Sequence, residues 1–136
     1  MTDLEKVKAW LDLCPYLQIE SRVDTTQDWP VSAGLYPRTQ RVTGRTEDVL
    51  GGKKMRISQT YFLRLALPEG EEAAERMQKI QNWIFTQNIN GNVPFLGENV
   101  SIWGEDGRLE KAGQVGMSLY VLTLKTEFTV IVEGVN

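Results

Sequence analysis

The chain has 136 residues, of which 41% are hydrophobic and 24% charged, and its net charge is −3. This length and composition are typical of one folded domain with its own core, so we expect a single domain over residues 1–136. No run approaches the roughly 18 consecutive apolar residues that a membrane span needs. Asp3 and Glu5 stand near the start, where a secretion signal would be basic, which predicts a protein made and used without secretion.

The sequence contains no histidine and a single cysteine, Cys14. Histidine is the commonest general base and the commonest metal ligand, so its absence argues against most hydrolase mechanisms and metal sites. Cys14 has Leu11 and Leu13 as apolar neighbours, which favours a buried hydrophobic role over a nucleophilic one. Glu105 and Asp106 fall in a predicted turn, where acidic residues are common for backbone reasons. We therefore expect no enzymatic activity, no cofactor and no metal.

The first predicted element is a short amphipathic helix. Thr2 followed by Glu5 forms a capping box, in which each residue satisfies a free backbone N–H at the start of a helix. Apolar residues then recur at spacings of three and four, which predicts a helix over residues 3–13. Pro15 ends this pattern because proline cannot continue a helix.

The next stretch predicts extended structure interrupted by prolines. Apolar and polar residues alternate from 17 to 23, a pattern typical of a short strand with one wet face. Pro30 and Pro37 then bracket residues 31–36, and proline is tolerated only at strand starts or sheet edges. We expect those residues to form either an edge strand or an irregular segment.

Two long strand-like runs between residues 35 and 67 meet at the pair Gly51-Gly52. A glycine pair between such runs predicts a two-residue turn, because both positions need positive φ. Counting back from that turn places Glu47 opposite Arg56, an ion pair that would stabilise two antiparallel strands. The returning run would span about 40 Å, roughly twice a typical strand, so we expect its outer half to lack cover within its own domain. We therefore expect an arm over about residues 38–60 that projects past the core and contacts a neighbouring subunit.

The predicted arm is basic. Six basic residues stand against two acidic ones between residues 38 and 56, which gives that segment +4 and leaves −7 for the rest of the chain. Candidate contact residues are Arg41, Arg45, Val49, Leu50, Lys53, Lys54 and Arg56. The charge split favours two interpretations equally, an arm for the acidic body of the next copy in a head-to-tail ring or a solvated hairpin protected from aggregation. Nucleic acid is the third candidate partner of the arm, because the sequence pI is about 5.0 and no stacking aromatic residues alternate with the basic ones.

A second, longer helix is predicted from Glu71 to Asn88. Acidic residues occupy its first turn, and oppositely charged residues recur at a spacing of four. Its apolar stripe is Ala73, Met77, Ile80 and Ile84. Trp83 and Phe85 fall on opposite flanks of that stripe, each about 100° from its centre. One sheet can cover only one flank, so we expect one aromatic to pack under a neighbouring loop and the other to contact a partner subunit, with an intramolecular fit for both as the alternative.

The C-terminal third predicts two more strands. We expect a strand over residues 99–103, a turn at 104–107 and a loop over 108–116. The last strand, Met117–Val132, is apolar on both faces, which is typical of a central strand or of one covered by a partner. The resulting fold class is α+β, a mainly antiparallel sheet with two helices packed on one face and a long projecting β-hairpin.

Residues 80–97, which read IQNWIFTQN and then GNVPFLG, resemble a family of small phage proteins. The resemblance extends through residues 100–102 and 120–124, the long hairpin, and the helix containing residues 10–11 and ending at 14–15, so it spans nearly the whole chain. These proteins are often labelled minor capsid protein and belong with the tail terminators of long-tailed phages. The hairpin and the loop after it depart from the usual pattern by being longer or more charged.

This resemblance implies a ring, usually hexameric, that caps the completed tail tube, stops its polymerisation and joins tail to head. The implied partners are other copies of the chain, the tail tube protein and the head–tail connector protein, with no membrane and no direct nucleic-acid specificity. The implied location is the head-proximal end of the tail, after synthesis in the cytoplasm of a bacterial host. Two alternatives stay open: a head–tail connector or head-decoration (minor capsid) subunit, and a monomeric small binding protein.

Overall fold

The computed structural model describes residues 2–17, 33–47, 52–68, 71–112 and 117–132. Within these ranges the chain forms an α+β fold, as predicted. Its elements in chain order are α1 (Asp3–Leu11), β1 (Ala33–Glu47), β2 (Lys53–Pro68), α2 (Glu71–Ile89), β3 (Glu98–Ala112) and β4 (Met117–Val132).

The four described strands form one antiparallel sheet in the order β1-β2-β4-β3. The central position of β4 confirms the interpretation of a strand that is apolar on both faces. Both helices pack on the same face of the sheet, as expected, because their apolar side chains join one core. The sheet contributes side chains to this core from alternate positions of its central strands, including Tyr61, Leu63, Leu122, Leu124 and Phe128. We call the opposite surface of the sheet, on which neither described helix packs, the open face.

α1 begins as predicted and ends earlier. The side chain of Thr2 accepts a hydrogen bond from the backbone N–H of Glu5 at 3.2 Å. The helix stops at Leu11 instead of residue 13, because the backbone tightens after it: the N–H of Leu13 donates to the carbonyl of Trp10 at 3.1 Å. Most of the strand predicted over residues 17–23 lies outside the described residues.

β1 occupies an edge of the sheet. It starts at Ala33, which confirms the edge-strand alternative for the described part of residues 31–36. From Pro37 to Glu47 every side chain is exposed, although the backbone is paired with β2.

The hairpin between β1 and β2 has a different register from the predicted one. Glu47 lies opposite Lys53, and Arg56 lies opposite Gly44, so the connection is longer than the predicted two-residue turn at Gly51-Gly52. Val49, Leu50 and Gly51 themselves lie outside the described residues. In this register Glu47 lies three positions from the partner of Arg56 and on the opposite face of the sheet, so the cross-strand pair favoured by the sequence does not form.

The expectation that the outer half of β2 lacks cover in its own chain is also wrong. β2 pairs with β4 along its whole length, from Lys53 opposite Val132 to Pro68 opposite Met117. Met55, near the start of β2, still packs against the core. The exposed part of the long hairpin is therefore the outer half of β1.

The predictions between α2 and β4 need a second correction. β3 runs without a reversal from Glu98 to Ala112, and Ala112 lies opposite Ser118. The predicted turn at 104–107 and the described part of the predicted loop at 108–116 are therefore wrong. Asp106, with φ of 59°, lies where the register of β3 against β4 shifts. An Asp-Gly sequence typical of a turn also suits such a bulge, because a turn and a bulge each need a residue in the left-handed backbone conformation.

Candidate assembly surface

The arginines of outer β1 lie on both faces of the sheet. Arg41 lies opposite Ser58, whose side chain is on the open face, and Arg45 lies opposite Met55, which packs on the helix side. Both arginines are exposed. This edge therefore presents positive charge on both faces of the sheet. The predicted contact residues Val49 and Leu50 lie outside the described residues.

A groove of about 440 Å³ lies beside the described end of the hairpin. It is lined by Arg45, Thr46, Glu47, Lys53, Lys54 and Met55. Three cationic side chains against one carboxylate favour an acidic side chain or another anion as the occupant.

Arg56 has partners inside the fold, although it was predicted as a contact residue. Its guanidinium donates to the carbonyl of Asn99 at 2.7 Å and to the hydroxyl of Thr129 at 3.2 Å. The carboxylate of Glu127 is 3.9 Å away. Arg56 thus links β2 to β4 and β3 across the open face. No sequence signal could have identified these partners, because all three are more than 40 positions away along the chain.

Two further ion pairs cross the open face. The Lys54 ammonium lies 3.6 Å from the Glu98 carboxylate, and the Lys125 ammonium lies 2.7 Å from that of Glu105. The hydrogen bond from Lys125 lowers the pKa of Glu105, with a smaller contribution from its hydrogen bond with Trp103. Sequence reasoning missed both pairs and placed Glu105 in a turn. Ion pairs thus connect β2, β3 and β4 at the end of the open face that contains Lys54, Arg56 and Lys125.

The other end of the open face is apolar. Tyr36, Ala66, Leu119 and Val121 are all buried there, although both described helices lie on the opposite side. The guanidinium of Arg64 lies 5.1 Å from the centre of the Tyr36 ring. The apolar second face predicted for the last strand is therefore real at Leu119 and Val121, and aromatic and cationic side chains of the neighbouring strands accompany it.

The two aromatic residues of α2 have different surroundings. Trp83 is half-buried, and its ring centre lies 4.9 Å from that of Trp10, so it packs against α1. Phe85 is 62% exposed. Ile89 is 65% exposed and follows Phe85 by four positions, so both lie on one side of the helix. Ile89 was missed by the sequence analysis, although its spacing from Phe85 was a usable signal.

Cys14 is buried, and burial raises the pKa of its thiol, which opposes formation of the nucleophilic thiolate. No group of three or more His, Cys, Asp or Glu residues suited to a metal ion occurs among the described residues.

No helix within the described ranges has the length and apolar character needed to cross a membrane. No model of a known protein family matches the chain, and no curated protein matches its sequence.

Proposed function

We propose that the chain is a structural phage protein whose copies form a ring, hexameric by its resemblance to tail terminators. The ring caps the tail tube, stops its polymerisation and joins the tail to the head. Its partners are other copies of itself, the tail tube protein and the head–tail connector protein. The chain acts by assembly and not as an enzyme.

One observation carries the assembly role, namely the exposed outer half of β1. From Pro37 to Glu47 the backbone is ordered in a sheet, while every side chain remains exposed. Ordering a chain costs about 1–2 kcal/mol per residue in conformational entropy, and burial of side chains normally offsets that cost. An ordered segment of eleven residues, 37–47, in which every side chain is exposed is well suited to contact a partner.

Exposed apolar residues of α2, whose end is bonded to the edge strand β3, support the same role. Phe85 and Ile89 place two large apolar side chains in solvent on neighbouring turns of α2. Charged groups on the open face are paired with one another, as in Lys125 with Glu105 and Lys54 with Glu98. Such an arrangement suits a binding surface better than a catalytic site.

The oligomeric state of the purified chain tests the proposal. Size-exclusion chromatography with light scattering, from about 1 µM to 1 mM, should show association with increasing concentration, and negative-stain electron microscopy should show closed rings. A chain that stays monomeric throughout this range would contradict the proposal and favour a small binding protein. In phage particles, a tagged chain should lie at the head-proximal end of the tail, and labelling spread over the capsid would instead favour a head-decoration subunit.

A further inference from the structure

The two outer strands of the sheet carry opposite charge. β1 and β3 lie at opposite edges, and neither has a further strand beside it among the residues that the structure describes. The sequence of β1 holds three basic residues and one acidic residue, which gives +2. The sequence of β3 holds four acidic and two basic residues, which gives −2. Each molecule therefore has one edge strand rich in basic residues and one rich in acidic residues. Glu98, Glu105 and Asp106 of β3 have Lys54, Lys125 and Arg108 of the same chain as neighbours, and their side chains stay 49%, 45% and 60% exposed, so a further cation can approach them.

The acidic edge also has exposed apolar surface beside it. The side-chain oxygen of Asn88 accepts a hydrogen bond from the backbone N–H of Ile102 at 3.0 Å, which holds the end of α2 against β3. Phe85 precedes Asn88 by three positions and therefore lies on the same side of α2, with Ile89 one turn further on. We call the edge of β3 together with Phe85 and Ile89 the receiving surface.

The basic edge carries a matching combination of charge and apolar surface. Val42 is 44% exposed and is flanked along β1 by Arg41 and Arg45, which are exposed as well. Arginine side chains can lay their apolar stems and planar heads on aromatic rings while pairing with carboxylates. Arg41 lies on the open face of this edge, whereas Val42 and Arg45, opposite Ile57 and Met55, lie on the helix side. We call the edge formed by Arg41, Val42 and Arg45 the docking surface.

We propose that the docking surface of one copy binds the receiving surface of the next copy. This rests on the proposed function, in which copies form a ring, and it names the two surfaces that meet. Two β1 edges brought together would oppose +2 with +2, and two β3 edges would oppose −2 with −2. Only the head-to-tail contact brings opposite charges together. Because the two surfaces lie at opposite edges, each copy binds two neighbours, and a suitable rotation closes the ring.

The contact is made by side chains and not by extension of the sheet. The N–H of Ile102 is already bonded to Asn88 and cannot pair with another strand. Register shifts interrupt both edges, between Val42 and Gly44 in β1 and between Glu105 and Arg108 in β3. Such bulges protect edge strands from open-ended pairing, which suits a ring of limited size.

A pair of complementary variants tests this inference. R41E/R45E removes the docking surface and keeps the receiving surface, whereas F85S/I89S does the reverse. Each variant alone should associate at least tenfold more weakly than the wild type in sedimentation velocity. An equimolar mixture has one intact surface of each kind, so it should form 1:1 pairs and no rings. Circular dichroism melts of both variants establish that they remain folded.

L13S/F95S is a matched control, because it replaces two exposed apolar side chains outside both surfaces. This control should assemble as the wild type does. If the wild type forms rings and either surface variant forms them equally well, the inference is wrong and the proposed function stands. If the mixture shows no pairing while each variant is folded, the head-to-tail contact is also wrong. A wild-type chain that never associates overturns both proposals.

Discussion

The indole rings of Trp10 and Trp83 lie 4.9 Å apart between their centres, with their planes tilted by 48°, and this contact joins α1 to α2. The indole N–H of Trp10 also donates to the carbonyl of Asn92 at 2.7 Å. One side chain thus connects both helices with the segment that follows α2.

Replacing Trp10 with alanine should lower the free energy of unfolding by about 3–5 kcal/mol, because it removes a buried aromatic ring from the core. Trp10→Phe keeps a ring and loses the hydrogen bond to Asn92, so it should cost less, with about 1 kcal/mol from that bond. Urea denaturation followed by circular dichroism measures both. A loss below about 1 kcal/mol for Trp10→Ala would show that the ring is not an integral part of the core.

Gly97→Ala should destabilise the fold, whereas Gly44→Ala should not. A Cβ at Gly97 would lie 2.4 Å from the carbonyl oxygen of Thr129, and a backbone atom cannot rotate away. A Cβ at Gly44 would meet Arg56 at an ordinary 3.5 Å. We expect a loss of about 1–3 kcal/mol at Gly97 and a change within about 0.5 kcal/mol at Gly44, measured by urea denaturation. Equal effects at the two positions would contradict the packing of residue 97 against β4.

Arg56→Glu and Arg41→Glu make the same change in charge and should differ in effect. Arg56 donates to Asn99 and Thr129 and lies near Glu127, so its reversal loses these contacts and adds repulsion. We expect a loss of about 2 kcal/mol in the free energy of unfolding. Arg41 is exposed, so its reversal should change stability by less than about 0.5 kcal/mol. If Arg56→Glu is as stable as Arg41→Glu, the network on the open face contributes nothing to folding.

Tyr61 should make the fold sensitive to alkaline pH. Burial raises the pKa of its hydroxyl to about 12, and the charge of Asp3 adds to the increase. Since the folded state favours the protonated form, this stabilisation is fully present below pH 10 and is lost as pH rises from about 10 to 12. Over that range the wild type should lose about 2–3 kcal/mol more stability than Tyr61→Phe, which cannot ionise. Parallel slopes of unfolding free energy against pH for the two proteins would rule out this contribution.

The parts of the fold predicted correctly are those governed by local patterns. The Thr2 cap and the apolar spacing of α1, the stripe of α2 and the two apolar faces of β4 each depend on residues close together in the chain. The basic character of the hairpin and the positions of Trp83 and Phe85 on opposite flanks of α2 were likewise predicted from local features, whereas which of the two aromatics is exposed was decided by the packing of α1.

Features that depend on distant residues were decided only by the tertiary structure. The hairpin register places Glu47 opposite Lys53 and Arg56 opposite Gly44, whereas the favourable local pairing of Glu47 with Arg56 indicated a shorter turn. The turn-like residues near Asp106 became a bulge because β4 offers a full-length partner to β3. Arg56 and Trp83 have partners inside the fold because strands and helices far apart in sequence bring those partners within contact distance. Sequence periodicity determines which face of an element is apolar, whereas the element that covers that face is selected by packing across the whole domain.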